Sequence, residues 1–121
     1  MNLKCLPQAF SVCKIENLSQ TNLTLEFVFF ARTDEELSLV CETQRVPANT
    51  LAREDGWRAF RIEGVLDFSM VGVLARISSL LAEHAISIFA VSTYNTDYVF
   101  TKAESFDAAI ALLEQAGYTV L

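Results

Sequence analysis

Between Glu63 and Ile77 the chain reads Glu-Gly-Val-Leu-Asp-Phe-Ser-Met-Val-Gly-Val-Leu-Ala-Arg-Ile, with Gly64 and Gly72 flanking Asp67. This stretch joins a strand pattern to an amphipathic helix pattern. Such a loop offers free backbone N–H groups at a helix start, and those suit a carboxylate. The Asp67 carboxylate can receive an ammonium group. Together the two features could hold both charged ends of an amino acid. A structural reading stands beside this one: Gly72 lets the helix pack closely on the sheet, and Asp67 is a surface acid of the loop.

A second polar group, Asn95, Thr96 and Asp97, follows the apolar run Ile86–Val91. Asn and Asp are ordinary turn formers, so the trio reads either as a hairpin turn or as ligand-facing groups. Asp34 follows the run Leu25–Ala31 in the same way and shares that ambiguity. Phe89, Tyr94 and Tyr98 read as packing residues, with stacking on a ligand as the lesser role.

Other chemistries find little support. His84 is the single histidine, and no Ser, Cys or Asp stands at a diagnostic spacing from it. Its expected place is the end of a helix, where an imidazole meets exposed carbonyls. Cys5, Cys13 and Cys41 are odd in number and lack the paired spacings of a zinc site, so no metal and no cofactor is expected. A reduced, cytoplasmic setting fits them, with Cys13 and Cys41 as core thiols.

The chain has 121 residues, 52% of them hydrophobic, so disorder is excluded and one ordinary domain or two half-sized modules are expected. Fifteen acids against nine bases give a net charge of −6. That sign argues against nucleic acid and anionic membranes as partners. Asp67, Arg76 and Glu83 interrupt the most apolar region, so no transmembrane span is expected. No continuous apolar run of a signal peptide opens the chain.

The elements that must position the polar groups follow from periodicity. Met70, Val73, Leu74, Ile77, Leu80 and Leu81 predict an amphipathic helix over 71–84, with Ser69 as N-cap. Phe106, Ala109, Ile110 and Leu113 predict a second over 106–116, capped by Ser105 and closed by a left-handed Gly117. Strands are expected over 57–63, with Trp57 anchoring its start, and over 86–93, 97–102 and 118–121. From Trp57 the order is β-α-β-β-α-β, the ferredoxin-like pattern.

The first half echoes the second. Lys14-Ile15-Glu16 matches Arg61-Ile62-Glu63 at an offset of 61 − 14 = 47, and Thr33-Asp34 matches Thr96-Asp97 at 96 − 33 = 63. The difference, 63 − 47 = 16, is about one four-turn helix at ~3.6 residues per turn. The first copy is therefore read with its first helix reduced to Asn17–Asn22. Val46–Gly56, with Pro47, Asn49 and Gly56, reads as a linker between an N-terminal module, 1–56, and a C-terminal one, 57–121.

The run Gly72-Val-Leu-Ala-Arg-Ile-Ser-Ser-Leu-Leu-Ala-Glu-His-Ala-Ile-Ser-Ile88 resembles the core motif of ACT domains, small regulatory modules of aspartate kinases and other enzymes of amino-acid metabolism. Ser92-Thr-Tyr-Asn-Thr-Asp-Tyr98 and Gly56-Trp57-Arg58 strengthen the match, and the whole chain resembles stand-alone tandem ACT proteins, whose relatives include cytosolic arginine sensors. The resemblance covers about Phe10 to Leu121. It departs in one place: many ACT domains read Asp-x-Pro-Gly-(Val/Ile)-Leu where this chain has the longer Asp67-Phe-Ser-Met-Val-Gly-Val-Leu.

The resemblance implies an α+β protein of two tandem ferredoxin-like ACT modules (βαββαβ) sharing antiparallel sheet and core. It implies an amino acid bound at a seam between modules, near Asp67, Phe68, Ser69, Met70, Val71 and Gly72 on one wall and Thr93, Asn95, Thr96 and Asp97 on another, with Asp34 in the matching place of the first half. The resulting expectation is a cytoplasmic, non-enzymatic allosteric sensor, self-associating as a homodimer. An enzyme on the same sheet, of the acylphosphatase kind, would need an Arg in the 64–72 loop, and none is there. The alternative function is a protein-interaction or oligomerisation module without ligand.

Overall fold

The computed structural model describes residues 1–65 and 70–121. The described chain contains seven strands, β1 (Asn2–Ile15), β2 (Phe29–Arg32), β3 (Leu37–Glu42), β4 (Thr50–Ile62), β5 (Ile88–Ser92), β6 (Asp97–Lys102) and β7 (Thr119–Val120). Two α-helices, α1 (Val73–Glu83) and α2 (Ala103–Gln115), and one 3-10 turn, Thr43–Arg45, complete it. The fold is α+β and ferredoxin-like. Residues group into two compact units, Met1–Pro7 with Arg58–Leu121, and Gln8–Trp57. The first seven residues group with the later part of the chain.

In the unit of Arg58–Leu121, β5 and β6 form an antiparallel hairpin, Ile88 opposite Thr101 and Ser92 opposite Asp97. The strand order there is β5-β6-β4-β1, with β7 on β1. The closing strand does not lie against β4, as the simple β-α-β-β-α-β expectation has it. Residues of β1 take that place, and β7 pairs them in parallel, Asn2 opposite Thr119 and Leu3 opposite Val120. The reason is legible in burial: Leu3 is fully buried with Phe60, Ile62 and Val99, whereas two-residue β7 has no buried side chain. Helix α1 lays Val73, Ile77 and Leu81 on this core, and α2 adds Phe106, Ala109 and Leu113. The spacing is that of one helical face. Arg58 stacks its guanidinium 4.4 Å from the Phe106 ring centre, covering the start of α2.

Both helix starts differ from expectation. The N-cap of α1 is Gly72, in the left-handed region at φ 81°, with no side-chain cap; the expected cap Ser69 lies outside the described residues. Helix α2 begins at Ala103 after Lys102, so Ser105 falls inside the first turn instead of capping it. Gly117 does take the left-handed position after α2, at φ 102°. His84 closes α1, its Nδ1 3.0 Å from the Leu80 carbonyl oxygen, as expected of a helix-end imidazole.

In the unit of Gln8–Trp57 the strand order is β2-β3-β1-β4. Its core holds Cys13, Ile15, Leu37, Leu39 and Cys41, with Leu18, Val28 and Val46 packed on it. Burial pushes all three thiols up, Cys41 to about 11, with the neighbouring Cys13 adding to the effect. The thiols are free. Buried Ser11 donates its hydroxyl to Asp55 at 2.5 Å and meets the Thr43 hydroxyl at 2.9 Å, which ties the 3-10 turn and β4 to β1. That bond, with the nearby Arg53, holds the Asp55 carboxyl below its usual range.

Two expectations fail here. Thr50–Gly56 is the first half of a thirteen-residue strand, not linker, and no helix forms over 17–22. Asn17 and Asn22 instead accept from the N–H groups of Ser19 and Thr24, local bonds that compete with helix.

The internal echo is present, at a corrected register. β1 ends at Ile15 and β4 at Ile62, a shift of 62 − 15 = 47; Glu16 then donates to the Asn49 carbonyl, and Glu63 to the Asn2 carbonyl, again 47 apart. In the hairpins, Arg32 pairs with Leu37 as Ser92 pairs with Asp97, a shift of 92 − 32 = 60 rather than 63. Glu42 before the 3-10 turn and Lys102 before α2 share nearly the same backbone, φ −59° and ψ 139° against φ −58° and ψ 141°. The shift grows by 60 − 47 = 13 residues where α1 stands in one copy and residues 16–28 in the other.

Candidate functional site

The described end of the first loop, Met70 and Gly72, lies beside the second loop singled out by sequence. A cleft of about 280 Å³ opens between the start of α1, Gly72 to Ala75, and the β5–β6 turn, Ser92 to Asp97, with Met70 at its rim. Gly72 is required by its backbone: its φ of 81° is one that L side chains rarely adopt, although a Cβ there would meet nothing closer than the Arg76 guanidinium at 3.6 Å. The first intrahelical bond runs from the Arg76 N–H to the Gly72 carbonyl. The N–H groups of the preceding turn lie at the positive end of the helix and have no intrahelical acceptor. Arg76, folded back to Gly72, adds a full positive charge to that end.

The opposite wall is built by hydrogen bonds. Thr93 donates its hydroxyl to the Thr96 carbonyl at 3.0 Å, and its N–H bonds the same oxygen at 2.8 Å, closing a tight turn. Thr96 is 7% exposed, and its hydroxyl donates to the Ile62 carbonyl at 2.7 Å. This anchors the turn on the end of β4. Asp97 accepts from the Ser92 hydroxyl at 2.6 Å, across the hairpin pair that the register sets. One carboxylate edge is thereby oriented.

Of the expected residues, Met70, Gly72, Thr93, Asn95, Thr96 and Asp97 line the cleft. Val71 is 86% exposed and does not line it. Asp67, Phe68 and Ser69 lie outside the described residues. Asp34 is exposed in the β2–β3 turn of the other unit, where Thr33 repeats the bonds of Thr93: its N–H reaches the Glu36 carbonyl at 2.9 Å. At the observed shift Asp34 corresponds to Tyr94, and Leu37 corresponds to Asp97. The carboxylate of the second turn therefore has no counterpart in the first.

Sequence reasoning missed Ser92, Val73, Leu74 and Ala75, which also line the cleft. Ser92 had a signal, since the residue closing a hairpin faces the residue that reopens it. Tyr94 lines the cleft and is 80% exposed. Phe89 stacks on Phe100 at 4.5 Å between ring centres, and Tyr98 takes a hydrogen bond from Arg61, which also pairs with Glu63 at 3.1 Å. Tyr98 and then Glu63 raise the Arg61 pKa further. Phe89 and Tyr98 are packing groups of the sheet, as expected, whereas Tyr94 is not.

Among the described residues no group of three or more His, Cys, Asp or Glu side chains could hold a metal ion. No described helix is long and apolar enough to cross a membrane.

Comparison with known proteins agrees with this geometry. Residues 52–115 match the family model of an ACT domain. A protein from Agobacterium tumefaciens shares the fold with a TM-score of 0.87 and 28% identity, over 99% of this chain and 91% of that one. A Vibrio cholerae protein of unknown function superimposes with a TM-score of 0.72 at 23% identity, over 92% and 85% of the two chains. The regulatory subunit of aspartate kinase from Thermus thermophilus, in its ligand-free form, gives 0.65 at 12% identity, over 95% and 96%. With a family-model match over residues 52–115, more than half of its length, the chain belongs to the ACT domain family.

Proposed function

We propose that this protein is a non-enzymatic, cytoplasmic regulator that binds an amino acid in the cleft between the α1 start and the β5–β6 turn. The observation that carries the reading is the opposition of charge across that cleft. One wall presents the N–H groups of the α1 start, which favour a carboxylate, and the Arg76 guanidinium near Gly72 adds positive charge to that helix end. The other presents the Asp97 carboxylate, fixed by Ser92, which favours an ammonium group. An α-amino acid carries both groups on one carbon. Its side chain would meet Met70, Leu74 and Tyr94. The regulatory roles named for aspartate kinase neighbours support the same class of function.

A homodimer completes the picture. β5 is the edge strand of its unit, half-buried to exposed along its length, and an open backbone edge is a ready partner for a second copy. In this reading an ACT module of that copy closes the open side of the cleft, which places the ligand at a seam between modules.

Thermal unfolding with a panel of the common amino acids tests the proposal. One amino acid, or a chemically related few, should stabilise the protein, by about 2.7 kcal/mol at a hundred-fold excess over Kd. Stabilisation by none of them, with a light-scattering mass that shows a stable dimer, would favour the oligomerisation module that binds no ligand.

A further inference from the structure

The unit of Gln8–Trp57 has a cavity of its own, of about 210 Å³, under residues 16–28. Its origin lies in the internal duplication. In the later unit the buried face carries Phe60 and is roofed by Val73, Ile77 and Leu81 of α1. At the matching position of the earlier unit, 60 − 47 = 13, stands the smaller Cys13, and thirteen fewer residues form the roof. Leu18 and Val28 reach the core from that roof, but they do not replace a helix face. Space is left where a well-packed core would leave none.

The lining is not that of a packing defect. Leu25, Val28 and Cys41 give an apolar floor. Thr21 also lines the cavity, and its hydroxyl oxygen is buried with no hydrogen-bond partner among the described residues. Buried hydroxyls are nearly always bonded, so this oxygen calls for a donor or acceptor from outside the chain. Arg45, in the 3-10 turn, stands on the wall with no ion pair among the described residues. No carboxylate lines the cavity, so an ammonium group would have no counter-charge there.

We propose that this cavity is a second binding site, for a small aliphatic monocarboxylate, with its hydrocarbon body over Val28 and Cys41 and its carboxylate between Arg45 and Thr21. A cavity of about 150 Å³ accepts a benzene-sized molecule, so roughly seven or eight heavy atoms fit here. The guanidinium offers the forked donors that a carboxylate takes. The proposal is independent of the amino-acid cleft.

Titration of the full chain with 3-methylbutanoate, followed by amide chemical shifts, tests it. Saturable one-to-one binding is expected, with shifts in residues 20–28 and 41–45. Arg45→Gln, a surface change that leaves the core intact, should weaken binding by about tenfold. Val28→Phe should abolish it by filling the space. The uncharged analogue 3-methylbutan-1-ol should bind about tenfold more weakly than the acid. Asp97→Asn, at the other cleft, should leave it unchanged. Absence of saturation at millimolar acid, a cavity occupied by water alone, or binding equally strong in Arg45→Gln would overturn the proposal. So would shifts confined to residues 70–75 and 92–97, which would assign the acid to the amino-acid cleft.

Discussion

The hydroxyl of Thr96 donates to the carbonyl oxygen of Ile62 at 2.7 Å, a buried bond between residues 34 positions apart. Ile62 ends β4 and Thr96 closes the β5–β6 turn, so this bond holds one wall of the cleft at a fixed distance from the strand that leads to the other. It makes Thr96 a positioning residue of the site, whose hydroxyl is already engaged within the protein.

Thr96→Val keeps the shape and removes the donor. The Ile62 carbonyl is then left buried without that partner, and stability should fall by about 1–3 kcal/mol. Urea unfolding measures this directly. Thr93→Ala, which loses only the turn's own bonds, should cost less, about 1 kcal/mol.

Asp97→Asn retains size and the Ser92 hydrogen bond but removes the charge that faces an ammonium group. Affinity for the amino acid should fall at least about tenfold, as expected for a lost charge-assisted contact. The far-UV spectrum should stay the same.

Gly72→Ala meets no steric obstacle beyond ordinary contact with Arg76, so its cost is the backbone conformation alone. Adopting φ near 81° with a Cβ costs about 1–2 kcal/mol. A thermal scan should show that loss. Ligand affinity should fall as well, because relaxation of the turn would re-aim the helix N–H groups.

Cys41 gives the protein a stability change in alkaline solution. Burial raises its pKa from 9.0 to about 11. Between those values the unfolded thiol has lost its proton while the folded one keeps it, so the unfolded state binds fewer protons and stability falls as pH rises. The slope approaches about 1.4 kcal/mol per pH unit within that window and vanishes below it. The difference in unfolding free energy between the protein and Cys41→Ala, measured from pH 7 to 11, should shrink accordingly. Cys41 should also react slowly with alkylating reagents at neutral pH.

Much of the later half was legible in the sequence because its periodicities are strong. The stripe from Val73 to Leu81 and the pair of strands around Tyr94–Thr96 are near their expected places. Met70 and Gly72 of the first expected loop and Thr93, Asn95, Thr96 and Asp97 of the second line one cleft, while Asp67, Phe68 and Ser69 lie outside the described residues. What was missed has physical causes. Leu51 to Gly56 are all exposed, so that half of β4 carries no alternation to read. Leu3 is buried by pairing with residues more than a hundred positions away, which no local pattern reveals. Ser69 and Ser105 are good cap residues by type, yet the described caps are Gly72 and Lys102, neither with a side-chain cap bond. The repeated Thr-Asp dipeptide sets the hairpin three residues out of register, since it occurs by chance at 33–34 and 96–97 while the turns themselves align Thr33 with Thr93.

The most direct measurement is a calorimetric titration of the protein and of Asp97→Asn with the amino acid that gives the largest thermal stabilisation. Saturable heat in the native protein, reduced at least about tenfold in affinity in Asp97→Asn, is the predicted result. No saturable heat with any common amino acid, or equal affinity in both proteins, would contradict amino-acid binding at this cleft.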